Sequence, residues 1–154
     1  MASTYGLYRK VIALPFGRQI FSAAYMYKVP YFRSVRPRIV EMAPHRAVVQ
    51  IKKRRAVHNH IGTLHAIAIA NGLEAAMGLL AEATVAKGMR WIPRGIQLDY
   101  LAKVPDDVRC LAETDAQDWD KDAPFQVEVR VSAHLRDGIE VVRGLIPIWV
   151  TAKK

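Results

Sequence analysis

The run from Thr63 to Val85 constrains this chain most, because only Glu74 and Glu82 carry charge within it. Apolar residues fall on every side of a helical wheel there, so a helix formed by the run must be buried all round. Its length approaches the ~20 residues that cross a bilayer. His65, Asn71 and Glu74 inside it are costly to place in hydrocarbon, however. The surrounding sequence is strand-rich and can wrap such a helix in protein. Polar groups enclosed this way need partners or a chemical task, which makes the run the centre of both the expected fold and the expected chemistry.

The rest of the chain supplies the wrapping. Leu7, Val11, Ile12, Phe16, Ile20, Phe21, Ala24 and Met26 recur at helical spacing, with Arg9, Lys10, Arg18 and Lys28 between them. This is a basic amphipathic segment, kinked at Pro15-Phe16-Gly17, within an N-terminal part spanning 1–36. It reads either as a helix packed on the main domain, 37–154, or as a lid over an acyl site or a contact with an anionic membrane. Arg38 to Met42 and Arg46 to Ala56 read as strands around Ala43-Pro44-His45. The second would place two cations of Lys52-Lys53-Arg54-Arg55 on each face.

After the apolar run, Lys87 to Gly95 reads as a connection. Ile96 to Val104 and Val108 to Thr114 read as a hairpin about Pro105-Asp106-Asp107, and Asp115 to Asp122 as a solvated loop. Phe125 to Leu135 alternates apolar Val127, Val129, Val131 and Ala133 with polar Glu128, Arg130, Ser132 and His134, the pattern of a sheet with one wet face. Asp137-Gly138 then turns the chain into a last strand, Ile139 to Thr151. The expected class is α+β: an antiparallel sheet curled around one long helix.

The net charge of +9 is uneven. The first 60 residues hold twelve Lys and Arg against Glu41 alone, and the remainder holds eleven against thirteen acids. Such a field attracts anions: phosphate-bearing cofactors, lipid headgroups or nucleic acid. No aromatic platform or recognition motif accompanies the cations, so nucleic acid is not expected. Beside a pocket, Lys52, Lys53, Arg54 and Arg55 would suit the phosphates of a nucleotide-bearing cofactor. His58, His60 and His65 lack a carboxylate or cysteine at ligand spacing, and no metal is expected. The lone Cys110 excludes an intrachain disulfide and fits a reducing compartment. The apolar run Val11 to Phe16 is too short and interrupted for a secretory signal, so the expectation is a soluble, cytoplasmic protein.

Asn59, Gly62, Thr63 and His65, followed nine residues later by Glu74, resemble the opening of the central helix in hotdog-fold thioesterases of the phenylacetate-pathway type. Those proteins carry Asn…Gly-Thr-x-His-Gly-Gly and a carboxylate at the same distance. Asn-His-x-Gly-Thr-x-His-Ala at 59–66 and Arg-Trp-Ile-Pro at 90–93 are similar to a less characterised branch of that superfamily, a domain of unknown function. The resemblance implies a hotdog fold and an acyl-CoA substrate, with coenzyme A as part of the substrate and no further cofactor. It also implies a homodimer, with assembly into a dimer of dimers left open.

Helix geometry puts Glu74 on the opposite side from His65 and about 13 Å along the axis, too far to share one pocket within a chain. A two-fold dimer would let Glu74 of one subunit meet the helix entrance of the other. On this reading the Ala66 N–H polarises the thioester carbonyl, and Glu74 is general base or nucleophile. Asn59 orients water or the carboxylate, or is simply a turn residue. His65 holds the helix entrance or bonds the substrate.

Thr63 would cap the helix. Gly62 and Thr63, with the Lys52 to Arg55 run, would contact the substrate, and Met77, Tyr100 and Leu101 would line an acyl tunnel. Gly72 and Gly78 would mark close packing, such as a helix pair in the dimer. Ala66 replaces the usual glycine, which keeps the N–H but restricts close approach. The alternative is a non-catalytic acyl-thioester or lipid-binding protein, or a peripheral membrane protein, on the same fold.

Overall fold

A computed structural model describes residues 3–153. In chain order these form α1 (Thr4–Val11), α2 (Gly17–Lys28), β1 (Arg38–Ala43), β2 (Arg46–Ile51), α3 (Ala66–Thr84), β3 (Met89–Pro93), β4 (Gln97–Tyr100), β5 (Val108–Glu113), β6 (Phe125–His134) and β7 (Glu140–Ala152). The seven strands make one antiparallel sheet in the order β1-β2-β5-β6-β7-β3, with β4 also paired to β7 beside β3. The sheet curls around α3 in the hotdog fold.

The period-two patterns explain the curl. Val127, Val129, Val131 and Ala133 of β6, Ala47, Val49 and Ile51 of β2, and Cys110 and Ala112 of β5 are all buried toward α3. The alternate side chains face outward. α3 is long and apolar enough to cross a membrane, but most of it is buried inside this wrapper. Close approach is secured by Gly72: a Cβ there would meet Cys110 Sγ and Ile51 Cγ1 at 2.8 Å. Burial pushes the Cys110 thiol well up, which suits an inert packing residue.

The N-terminal segment is two helices. A Cβ on Gly17 would lie 2.0 Å from the Val11 carbonyl oxygen, so only glycine lets α2 start against α1. Tyr8 meets Phe21 edge-on at 5.0 Å between ring centroids, and both are buried. The Ser22 hydroxyl accepts from the Ile39 N–H at 3.0 Å. α2 therefore covers the outer edge of β1, which would otherwise offer unpaired backbone groups to another strand.

Several expectations are corrected. β2 ends at Ile51 because the Asp107 carboxylate accepts the Lys53 N–H at 2.8 Å and bends the chain out of the sheet. The four cations of 52–55 consequently do not alternate on a strand. Arg90 to Pro93 belongs to β3 instead of a connection, and β4 pairs with β7 instead of forming a hairpin with β5. The cause is non-local: β7 is thirteen residues long, and its free side templates both short strands. Gly72 faces Cys110 and Ile51 of the same chain, so sheet packing accounts for it without a helix pair, whereas a Cβ at Gly78 would make only ordinary contact with Trp91 and Tyr25.

Candidate active site

The turn that enters α3 is built by Asn59. Its Oδ1 accepts from the N–H groups of Ile61 and Thr63, both at 3.1 Å, and its Nδ2 donates to Thr63 Oγ1 at 2.7 Å. Gly62 takes φ +78° at the apex, a conformation natural to glycine. With its amide so engaged, Asn59 organises the turn. The hydroxyl of Thr63 is occupied by Asn59, so Thr63 does not cap the helix.

The cap is His65, whose Nδ1 accepts from the Ile67 N–H at 3.1 Å. That bond requires an unprotonated Nδ1. The His65 carbonyl takes the N–H groups of Ala68 and Ile69. Ala66 N–H is thus the first-turn donor left without an acceptor among the described residues. It sits at the positive end of a 19-residue helix. A pocket of about 290 Å³ surrounds this point, lined by Asn59, Thr63, Ala66, Tyr100 and Leu101. The Tyr100 hydroxyl donates to the Ala66 carbonyl at 3.0 Å, and burial raises its pKa.

Glu74 lies in a different cavity. About 260 Å³ in volume and mainly apolar, it is enclosed by Tyr25, Phe32, Met77, Gly78, Glu82 and Trp91, among others. Glu82 is fully engaged: one oxygen accepts from Trp91 Nε1 at 3.1 Å and the other from the Thr4 hydroxyl at 2.8 Å. Glu74 has no hydrogen-bond partner among the described residues. The Tyr25 phenol is driven well above its usual pKa, first by burial and then by the charges of Glu82 and Glu74. It remains a neutral hydroxyl facing two carboxylates.

The pockets of Ala66 and Glu74 share no lining residue, in keeping with the half-turn offset along α3. His65 belongs to neither. It lines a third cavity of about 210 Å³ with Tyr31, His58 and Asn71, where His58 Nε2 and Asn71 Oδ1 are buried without partners among the described residues. Met77 joins the Glu74 pocket, and Tyr100 and Leu101 join the Ala66 pocket. Trp91, inside the Arg-Trp-Ile-Pro motif, turns out to wall the Glu74 cavity, and so does Tyr25, which nothing in the local sequence of an N-terminal helix marks for that place.

The cationic run is split. Lys52 and Arg54 line a groove on the face of β1 and β2 turned away from α3, the backbone of Lys53 serves Asp107, and Arg55 opens a 3-10 turn. That groove is at the opposite edge of the sheet from β3 and β4. The run therefore does not form one patch beside Ala66. Among the described residues no group of three metal-ligating side chains comes together.

A model of the family described as a domain of unknown function, DUF4442, matches residues 17–150. The chain belongs to the DUF4442 family. Among solved structures, the DUF4442 chain is similar to the structural-genomics protein APC5556, at 38% identity and TM-score 0.84, over 97% of this chain and 99% of that one. It also shares its fold with PA5026 of Pseudomonas aeruginosa, a protein of unknown function described as a probable thioesterase. Identity is 16% there and TM-score 0.78, over 91% of this chain and 97% of that one. A thioesterase family protein from Silicibacter pomeroyi is 18% identical at TM-score 0.70, over 86% and 96% of the two chains. Comparison with curated proteins returned no match.

Proposed function

We propose that this DUF4442 protein is an acyl-CoA thioesterase that works as a two-fold homodimer with composite sites. One observation carries the reading. The unpartnered Glu74 carboxylate and the unaccepted Ala66 N–H occupy separate pockets, and both pockets border the sheet edge that no strand among the described residues covers. Trp91 and Pro93 of β3 line the first, and Tyr100 of β4 lines the second. The edge is interrupted between them at Arg94 to Ile96 and exposes Ile92, Ile96 and Tyr100.

An open apolar edge invites pairing with a second copy. A two-fold axis near Gly95 sets β3 of one subunit beside β4 of its partner. Each Glu74 pocket then meets the other subunit's Ala66 pocket.

In such a site the Ala66 N–H and the helix dipole hold the thioester oxygen as it gains charge. In the base route Glu74 takes a proton from water, whose oxygen attacks the carbonyl carbon. The C–S bond then breaks, and the coenzyme thiolate leaves and is protonated. In the nucleophile route the Glu74 carboxylate attacks the carbonyl carbon, and the C–S bond breaks as the coenzyme thiolate leaves and is protonated. Water then hydrolyses the acyl anhydride to free acid and Glu74. Asn59 and His65 act by positioning, one tying the turn and the other capping the helix.

The test is free-thiol release from short, medium, long and aryl acyl-CoAs, comparing wild type with Glu74→Gln. We expect turnover of one acyl class and a fall in kcat of at least ~10² in the variant. A folded dimer that binds acyl-CoA without releasing thiol would replace the enzyme with an acyl-thioester binding protein.

A further inference from the structure

α2 is apolar on two faces, and the protein uses only one of them. Phe21 is buried against α1 and the core, while Phe16, Ile20 and Tyr27 point outward at 76%, 50% and 85% exposure. Ala23 and Ala24 complete the outward stripe, and Ile12 and Leu14 extend it across the corner between α1 and α2. Phe16 is also held at φ 58°, a left-handed conformation that strains a bulky side chain. Neither burial nor backbone comfort accounts for an aromatic ring there.

The groove of about 620 Å³ that takes Lys52 and Arg54 opens on another side of α2, at Arg18, Gln19, Ser22 and Met26, about a third of a turn round the helix from this stripe. Arg18, Arg36, Arg38 and Arg109 also line it, and no carboxylate does. The six cations come from four separate stretches of chain. Arg38, Gln50 and Arg109 stand in one cross-strand row on the outer sheet face. None of the six forms an ion pair among the described residues. Asp107, whose charge reaches Lys52, is bonded to Arg136 and the Lys53 N–H. Residues 3–40 contain no acid at all.

We propose that the α1–α2 corner and the outward face of α2 dock on an anionic phospholipid surface. Phe16, Leu14 and Ile20 enter the headgroup layer, and the groove cations take lipid phosphates. An apolar helix face with cations on an adjoining side suits an anionic bilayer interface. A second copy of the chain suits it poorly, because self-association through this face would set like charges against each other. The surface is independent of the thioester site.

The experiment is sedimentation of the full chain with vesicles of phosphatidylcholine, alone or mixed with phosphatidylglycerol, at low and high salt. Wild type is expected to pellet with the mixed vesicles only, and to be released by salt. The double substitution Phe16→Ser, Ile20→Ser should weaken partitioning at least about tenfold, since an aromatic and a branched side chain no longer leave water. Arg18→Gln and Lys52→Gln should each weaken it about fivefold.

All four substitutions fall on exposed side chains and should leave the unfolding temperature in place. Equal binding to both vesicle types would overturn the proposal, as would absence of binding. So would salt-sensitive binding that ignores Phe16 and Ile20. A fall in oligomer mass in the Phe16, Ile20 variant would also overturn it, by assigning the stripe to another copy of the chain.

Discussion

Ala66→Pro separates the proposed chemistry from the fold, because every structural cost of proline is already met at this position. Ala66 is the first residue of α3, where proline is favoured: its fixed φ suits the helix and its missing N–H has no intrahelical acceptor. The residue before a proline must be extended, and His65 already stands at φ −67°, ψ 136°. The hydrogen bonds of this turn use the Ile67, Ala68 and Ile69 N–H groups and the Ala66 carbonyl, all of which survive. The expected change in folding stability is therefore within about 1 kcal/mol, against ~3 kcal/mol for proline inside a helix.

The expected loss of activity is much larger. Removing one oxyanion donor costs about 10²–10³ in kcat, or roughly 2.7–4 kcal/mol. Thiol release and thermal unfolding on the same preparation read the two quantities side by side. Mixing Ala66→Pro with Glu74→Gln then tests the composite site: a mixed dimer holds one site with neither substitution, so activity should return. Unchanged kcat in Ala66→Pro would refute the oxyanion role. A loss of several kcal/mol in stability would show that the N–H was already engaged, and failure to complement would refute the shared site.

Gly72→Ala should destabilise by about 1–2 kcal/mol despite its better helix propensity, because the new methyl meets buried Ile51 and Cys110. Ile51→Val in the same chain should recover part of that loss in urea unfolding. Asn59→Ala should cost about 2–3 kcal/mol, roughly 1 kcal/mol for each of its three shortest side-chain hydrogen bonds, and should lower thiol release through a disordered helix entrance.

Burial alone would raise the Asp107 carboxyl. The Lys53 N–H and Arg136, helped by Lys52, overcome that and hold it below its ordinary value. Its contribution to stability is therefore complete above about pH 4 and is lost as the pH falls through the depressed folded value. Asp107→Asn should flatten the acid limb of a stability–pH profile, and an unchanged limb would dismiss the carboxylate's part in it.

Local pattern made much of this protein legible. A run with two charges in 23 residues must be enclosed, the alternation from Phe125 to His134 shows which face encloses it, and Asp137-Gly138 joins the last two strands. Gly62 and Asn59 announce a turn, and the half-turn between His65 and Glu74 already separates them into different pockets. These are short-range properties, set by side-chain period and backbone sterics, and they survive without knowledge of the neighbours.

Tertiary structure alone decided the rest. That β4 pairs β7 and not β5 depends on the free side of a strand forty residues away. That β2 stops at Ile51 depends on a carboxylate at 107, and that His65 instead of Thr63 caps α3 depends on Asn59 claiming the threonine hydroxyl. Tyr25 became a wall of the Glu74 pocket only because a glycine at 17 lets α2 fold back against α1. Each outcome is a competition for a hydrogen-bond donor, an acceptor or a few ångströms of space between distant segments. No local window contains both competitors.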